Sequence, residues 1–165
     1  MEDYARMTIK EFQTALSSSS PTPGGGSAAA IALGNAAALT CMVCDLTISK
    51  EKWNEGWDAA EKIQNFAIPL FHDSLELANL DADAFEKVMD SWKLPKITDQ
   101  EKEERAKKIE MSTINAAMVP LDTATKASDL LGLLPELALT GNANAVTDVA
   151  VAALLAHASS SGALF

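Results

Sequence analysis

Aromatic side chains are scarce in this sequence: they make up 5% of the 165 residues, whereas 48% of the residues are hydrophobic. Alanine and leucine must therefore fill the interior, which predicts helices that approach one another closely. Basic residues are also outnumbered, since 13 lysines and arginines stand against 23 aspartates and glutamates, a net charge of -10. This acidity argues against nucleic acid or an anionic membrane surface as a partner.

Cysteine and histidine are too few for a metal site of familiar spacing. Cys41 and Cys44 are the only cysteines, and His72 and His157 stand alone. The C-x-x-C pair lacks the two further ligands that zinc needs, and it lacks the strand that precedes a thioredoxin-like motif. We therefore expect no metal, reduced and buried cysteines, and a cytoplasmic protein.

No segment has the pattern of a secretory signal or of a membrane span. The start, Met1-Glu2-Asp3-Tyr4, is acidic rather than basic. The longest apolar run, residues 28–43, is short for a span, owes its hydrophobicity to alanine, and contains Asn35 and Thr40. It predicts a buried helix.

Helical signals run through nearly the whole chain. Thr8–Glu11 and Thr98–Glu101 fit the capping box that opens a helix. Pro69 predicts a kink, and Pro120 and Pro135 predict a division into shorter helices. Since no convincing strand, repeat or linker occurs, the sequence predicts one all-α domain over residues 1–165, a bundle of long helices rich in small residues.

The most informative segment is Pro21-Thr22-Pro23-Gly24-Gly25-Gly26-Ser27, which runs into an alanine-rich stretch. Its prolines and glycines predict a turn, and Ser27 predicts the N-cap of a helix that reaches about Ser49. Unpaired N–H groups at such a helix start bind electronegative ligands, so the turn serves either a ligand or close helix packing. Its flanks fit neither a dinucleotide fingerprint, nor a P-loop, nor a hydrolase elbow.

Two further segments place polar side chains in apolar surroundings. Asp81 and Asp83 are two residues apart, so on a helix they point in different directions and do not form a matched acid–base pair. They mark either a helix start or a carboxylate that faces a cleft. Asn142 and Asn144, followed by Asp148, offer the donors and acceptors that suit the edge of a heterocycle, although asparagine also caps helices.

Together these segments resemble the formiminotransferase-cyclodeaminase family, which includes cyclodeaminase domains and stand-alone methenyltetrahydrofolate cyclohydrolases. The glycine segment is the most specific element, and the resemblance covers essentially the whole chain. The supporting segments are Met42-Val43 with Leu46-Thr47, Asp81-Ala82-Asp83-Ala84-Phe85, Leu94-Pro95-Lys96, Val119-Pro120-Leu121, and Gly141-Asn142-Ala143-Asn144 with Thr147-Asp148.

The resemblance implies an all-helical homodimer that binds a tetrahydrofolate derivative near the subunit interface, with no tightly bound cofactor. Family members generally continue with a further helical segment beyond the position of Phe165, so we expect this chain to lack that segment. The expected substrate-binding residues are Pro23, Gly24, Gly25, Gly26, Ser27, Asn142 and Asn144, with Lys50 near the glutamate tail.

Family members convert 5-formiminotetrahydrofolate to 5,10-methenyltetrahydrofolate and ammonia, or hydrolyse the methenyl form. Either reaction needs a proton acceptor and neither needs a metal or a covalent nucleophile. We assign that role to Asp83 or Asp148, with Asp81 next, because a carboxylate among apolar neighbours gains basicity. Cyclodeaminase is the first expectation, cyclohydrolase the alternative, and a noncatalytic helical binding or assembly module the second alternative.

Overall fold

A computed structural model describes residues 3–165, which form α-helices and short 3-10 turns and contain no strand. The prediction of an all-α fold is confirmed. The α-helices are α1 (Ile9–Leu16), α2 (Gly25–Ile48), α3 (Trp57–Trp92), α4 (Asp99–Thr140) and α5 (Val146–Gly162), and the 3-10 turns are Tyr4–Arg6, Glu51–Gly56 and Ala143–Ala145.

Helices α2 to α5 form a four-helix bundle in which α2 packs against α3 and α5, and α4 packs against the same two helices. Helices α2 and α3 are antiparallel, because Ser27 at the start of α2 lies beside Ala78 late in α3. Helices α3 and α4 are antiparallel too, since Ser112 Oγ donates to Ser91 Oγ at 3.1 Å. As a result, the end of α3 and the beginning of α4 extend past the N-terminal end of α2.

Helix α2 is the most buried helix of the bundle. By length and composition alone it could cross a membrane, but it packs against three other helices and 56% of its apolar window is buried within the protein. Burial also raises the pKa of the Cys44 thiol to about 12. The buried residues of α2 are mostly small: Ser27, Ala29, Ala30, Leu33, Gly34, Ala36, Ala37, Thr40, Val43, Cys44 and Thr47.

The two predicted capping boxes are confirmed. The Glu11 N–H donates to Thr8 Oγ1 at 3.2 Å, while the Thr8 N–H donates to Glu11 Oε2 at 2.7 Å. At the start of α4, Thr98 and Glu101 make the same reciprocal bonds at 3.2 and 2.8 Å. Each box satisfies backbone donors that a helix start would otherwise leave unpaired.

The prediction that proline divides the C-terminal half into short helices is wrong. Helix α4 runs from Asp99 to Thr140 through both Pro120 and Pro135, and α3 runs through Pro69. Pro69 and Pro135 lie on exposed positions. Buried residues lie on both sides of Pro69 and Pro135, and the buried Thr123 and Ala124 follow Pro120, so tertiary packing outweighs the lost backbone hydrogen bond.

Gly34 sets the separation of α2 and α3. A Cβ atom built on Gly34 would overlap Ser74 Oγ and lie 2.9 Å from Ser74 Cβ. Rotation of the Ser74 hydroxyl alone would not relieve this contact, because Ser74 Cβ is fixed to the α3 backbone. The absence of a side chain at position 34 therefore allows the two backbones to approach.

We expect Gly34→Ala to lower the free energy of unfolding by about 1–3 kcal/mol, because the added methyl group overpacks this contact. Gly132→Ala is the matched control, since Gly132 is an exposed residue of α4 with nothing within 4 Å of a built Cβ. That change should raise stability by about 0.5–1 kcal/mol through helix propensity. Urea unfolding followed by far-ultraviolet circular dichroism measures both, and equal effects would contradict the proposed contact.

Candidate active site at the start of α2

The glycine segment is the first turn of a helix rather than a turn outside it. Gly24 is the N-cap, α2 begins at Gly25, and Ser27 is its third residue, so the predictions of a glycine turn and of a Ser27 cap are wrong. The Ala28 N–H donates to the Gly24 carbonyl at 3.0 Å and closes the first turn. Since the alanine-rich sequence that follows strongly favours helix, the helix extends back over two glycines.

Asp81 of α3 lies directly against this first turn. Ser27 Oγ donates to Asp81 Oδ2 at 3.0 Å, and it also lies 3.2 Å from the Ala78 carbonyl one turn earlier in α3. The Ser27 side chain is fully buried. Gly24 has no side chain to cap the helix, so the Asp81 carboxylate supplies the negative group that the start of α2 favours.

Burial raises the pKa of the Asp81 carboxyl above its ordinary value, and hydrogen bonds from the Ser27 hydroxyl and Ser27 backbone N–H partly oppose that shift. No charged side chain among residues 3–165 contributes. Asp81 is therefore a half-buried carboxylate whose basicity is set by desolvation and by one serine. Such a group is a stronger base than an exposed aspartate and can take part in proton transfer.

Gly26 leaves room for this carboxylate. A Cβ atom built on Gly26 would overlap Asp81 Oδ1 and lie 2.6 Å from Asp81 Cγ. Gly25 differs, because nothing lies within 4 Å of a Cβ built there. Of the three glycines, Gly26 is thus the one that the carboxylate requires.

An apolar face continues from Asp81 along the end of α3. Phe85, Met89 and Trp92 follow Asp81 at helical spacing and are between 40% and 55% exposed. Helix α2 does not cover them, because it begins beside Ala78 and Asp81. The Arg105 guanidinium lies over the Trp92 ring, 4.9 Å from its centre, so Phe85 and Met89 are the uncovered part of this face that aromatic rings of a ligand could contact.

Asp83 lies on another side of α3, about 200° around the helix from Asp81. It lines a cavity of about 670 Å³ between α3 and α4. Lys87, Lys108 and Asn115 also line the cavity, and apolar residues such as Leu80 form the rest of its wall. Asp81 and Asp83 consequently face different surroundings, as their spacing predicts.

Asn142 holds the start of α5 to the end of α2. Its backbone N–H donates to Thr47 Oγ1 at 2.9 Å, its Nδ2 donates to the Leu46 carbonyl at 2.9 Å, and its Oδ1 accepts from the Asn144 N–H at 3.0 Å. The residue is buried. This side chain therefore has a clear structural role as a cap of the turn Ala143–Ala145.

The expected site residues fall into separate groups within one chain. Pro23 to Ser27 and Asp81 lie at the start of α2, whereas Asn142, Asn144, Asp148 and Lys50 lie around its end. Nineteen residues separate Ser27 from Leu46, a distance of about 28 Å along the helix. Asp148 is half-buried in the first turn of α5, and Lys50 and Asn144 are exposed.

Sequence reasoning missed the pairing of Ser27 with Asp81. Both residues stood out, Ser27 beside the glycines and Asp81 in an apolar stretch, but they are 54 positions apart. Only correlated changes across related sequences would have linked them.

Among residues 3–165, no three histidine, cysteine, aspartate or glutamate side chains come together in a way that could hold a metal ion.

Several known proteins are similar to this chain. It is 40% identical over 151 residues to a methenyltetrahydrofolate cyclohydrolase from Methylorubrum extorquens, covering 92% of this chain and 73% of that protein. It is 35% identical over 170 residues to a formimidoyltransferase-cyclodeaminase from Gallus gallus, covering 99% of this chain but 31% of that protein.

A solved structure supports the same relationship. The crystal structure of a formiminotetrahydrofolate cyclodeaminase from Thermotoga maritima superposes with a TM-score of 0.83 at 31% identity, covering 97% of this chain and 76% of that one. The sequence profile described as Formiminotransferase-cyclodeaminase matches residues 8–165. This chain belongs to the formiminotransferase-cyclodeaminase family.

Proposed function

We propose that this protein is a formiminotetrahydrofolate cyclodeaminase in which the Asp81 carboxylate exchanges protons with the substrate. The observation that carries the proposal is the half-buried Asp81 carboxylate, of raised pKa, held by Ser27 over the glycine start of α2. The relatives with this chemistry in their names, and the similar solved structure, support the choice of substrate.

During the reaction N10 loses a proton, and the nitrogen of the formimino group gains one before it leaves as ammonia. N10 of the substrate attacks the carbon of the protonated formimino group, CH=NH2+, so the N10–carbon bond forms and the nitrogen of that group becomes an amino group on a tetrahedral carbon. Asp81 accepts the N10 proton and returns it to the amino group, which leaves as ammonia while its bond to carbon breaks. A single carboxylate can perform both transfers because its pKa lies above that of an exposed aspartate.

The product supports a negative group at this position. In 5,10-methenyltetrahydrofolate the carbon between N5 and N10 is part of a cation, and a carboxylate beside it would stabilise the charge that develops. The uncovered apolar face of Phe85 and Met89 would contact the aromatic rings of the folate. Asp83, Asp148, Pro23, Gly24, Gly25, Asn142, Asn144 and Lys50 remain proposed contributors.

A second candidate is methenyltetrahydrofolate cyclohydrolase, which the 40% identity to the Methylorubrum protein favours. In that reaction Asp81 would take a proton from the attacking water and return it to N5 as the bond between carbon and N5 breaks. The hydroxyl group on the carbon then loses its proton to solvent, which gives 10-formyltetrahydrofolate. The same carboxylate serves, since both reactions pass through a tetrahedral carbon between the two nitrogens.

Near-ultraviolet absorbance of the methenyl group separates the two reactions. A cyclodeaminase produces that absorbance and ammonia from 5-formiminotetrahydrofolate, whereas a cyclohydrolase removes it from the methenyl compound. If neither substrate reacts, a noncatalytic helical binding or assembly module becomes the better description, and binding of tetrahydrofolate measured by calorimetry then tests whether the site still holds folate.

We expect Asp81→Asn to lower kcat by about 100-fold or more, because asparagine keeps the shape and can accept from Ser27 but cannot take a proton. Asp83→Asn and Asp148→Asn are comparison variants on the same assay. If either of them lowers kcat more than Asp81→Asn does, the base is misassigned.

Stability provides the control for Asp81→Asn. Burial raises the folded-state pKa of Asp81, so its contribution to stability is greatest at acid pH and is lost as the pH rises through that pKa. Replacing the carboxylate by asparagine should therefore leave the Tm at neutral pH unchanged or higher. A lower Tm would mean that the activity loss reflects damage to the fold.

We also propose that the protein is a cytoplasmic homodimer with no tightly bound cofactor and no membrane attachment. A surface on α4 supports the dimer: Met111, Ile114, Met118 and Leu121, the α4 stripe, are between 49% and 64% exposed. Their spacing of three, four and three residues is that of a helix seam that packs against another helix. A second copy of α4 would cover it.

Ile114→Asp should convert the dimer to a monomer, because it places a charge in the middle of the α4 stripe. Thr113→Asp is the matched control, since Thr113 is exposed on the same turn but lies off the stripe. Size-exclusion chromatography with light scattering measures the mass of each. A wild-type chain that is monomeric at all concentrations, or a dimer that survives Ile114→Asp, would contradict the assignment.

A further inference from the structure

Ser27 holds Asp81 through both its side chain and its backbone. Ser27 Oγ donates to Oδ2 of the carboxylate at 3.0 Å, and the Ser27 backbone N–H also bonds the carboxylate. Both carboxylate oxygens lie against Gly26, because a Cβ atom built there would overlap Oδ1 and lie 2.6 Å from Oδ2. The carboxylate is therefore held by Ser27 and packed against the part of α2 where a side chain is absent.

We propose that Ser27 is a positioning residue that holds the Asp81 carboxylate against the first turn of α2 in the orientation that exchanges the proton with the substrate, and that Gly26 leaves the room that this orientation needs. This inference rests on the proposed function, since it concerns how Asp81 is held for that reaction. It also explains why glycine stands at position 26, where the helix alone would favour alanine.

Ser27 is well suited to fix the carboxylate. It is fully buried in the first turn of α2, where its backbone cannot shift without moving the whole helix. Its hydroxyl lies between Asp81 Oδ2 and the Ala78 carbonyl, both on α3. The hydroxyl hydrogen can bond only one of them at a time, and the carboxylate is the stronger acceptor.

The surroundings of Asp81 contain few other ionisable groups that could obscure a titration. Helix α2 has none from Gly25 to Ala38, and α5 has none after His157, which is exposed. On α4, Asp122 and Lys126 form an ion pair with each other. Asp83 and Glu86 of α3 lie on other faces of that helix, and the Asp3 side chain bonds Asn79.

The test is the pH dependence of kcat/KM for Ser27→Ala. Loss of the hydroxyl removes a bond that favours the carboxylate form, so the acid limb of the profile should move to higher pH, and kcat/KM should fall by about tenfold or more. Thr40→Val is the matched control, because Thr40 has a buried hydroxyl on the same helix that bonds only the Ala36 carbonyl. Its acid limb should not move.

Carbon-13 NMR titration of the Asp81 carboxyl makes the test independent of activity. The pKa of Asp81 should rise in Ser27→Ala and stay the same in Thr40→Val. A shifted pKa in a chain that turns over neither substrate supports the Ser27 contact while the proposed function fails. An unchanged pKa and an unmoved acid limb in Ser27→Ala would overturn the positioning role.

Gly26→Ala tests whether Asp81 needs the room that glycine leaves. The methyl group would overlap the carboxylate and move it away from Ser27, so kcat should fall by about 100-fold or more while circular dichroism still reports a helical protein. Gly132→Ala, at a position outside the site where a methyl group meets nothing, controls for the change in helix propensity. If Gly26→Ala retains wild-type kcat and the wild-type pKa of Asp81, the contact with Gly26 does not position the carboxylate.

Discussion

Helix α2 can lie against α3 only because the residues between them are small. At Gly34 a single methyl group would overlap Ser74, and at Gly26 it would overlap the Asp81 carboxylate. The close approach places a buried serine within hydrogen-bond distance of an aspartate that is 54 positions away. The same constraint that packs the core therefore also builds the candidate active site.

This arrangement gives Asp81 two properties that are normally opposed. Desolvation by the packed helices raises its pKa, while Ser27 and the start of α2 stabilise the ionised form. Desolvation is the larger of the two effects, so the pKa of Asp81 lies above its ordinary value in spite of the bonds from Ser27. The result is a carboxylate that is a stronger base than an exposed aspartate.

The amino-acid sequence was sufficient to predict the fold class and both capping boxes, because these depend on local patterns. It was insufficient where long-range packing decides. Pro120 and Pro135 were predicted to end helices, yet α4 passes through both. Gly25 and Gly26 were predicted to form a turn, yet the helix includes them. The ranking of the aspartates also depends on packing, because only the fold distinguishes Asp81, beside Ser27, from Asp83, in a cavity between two helices.

One site geometry is compatible with two reactions, and the chemistry explains why. Loss of ammonia from a formimino group and hydrolysis of a methenyl group both pass through a tetrahedral carbon between N5 and N10, and in both a proton moves to or from an atom attached to it. A carboxylate of raised pKa serves either reaction, so the choice must depend on whether the site holds a water molecule or an amino group against the carbon. That choice belongs to the surroundings of the carboxylate, where Phe85 and Met89 form an uncovered apolar face. These side chains are 40–43% exposed to solvent, so the bound substrate must itself cover them and keep water from the carbon if the amino group is to leave without hydrolysis.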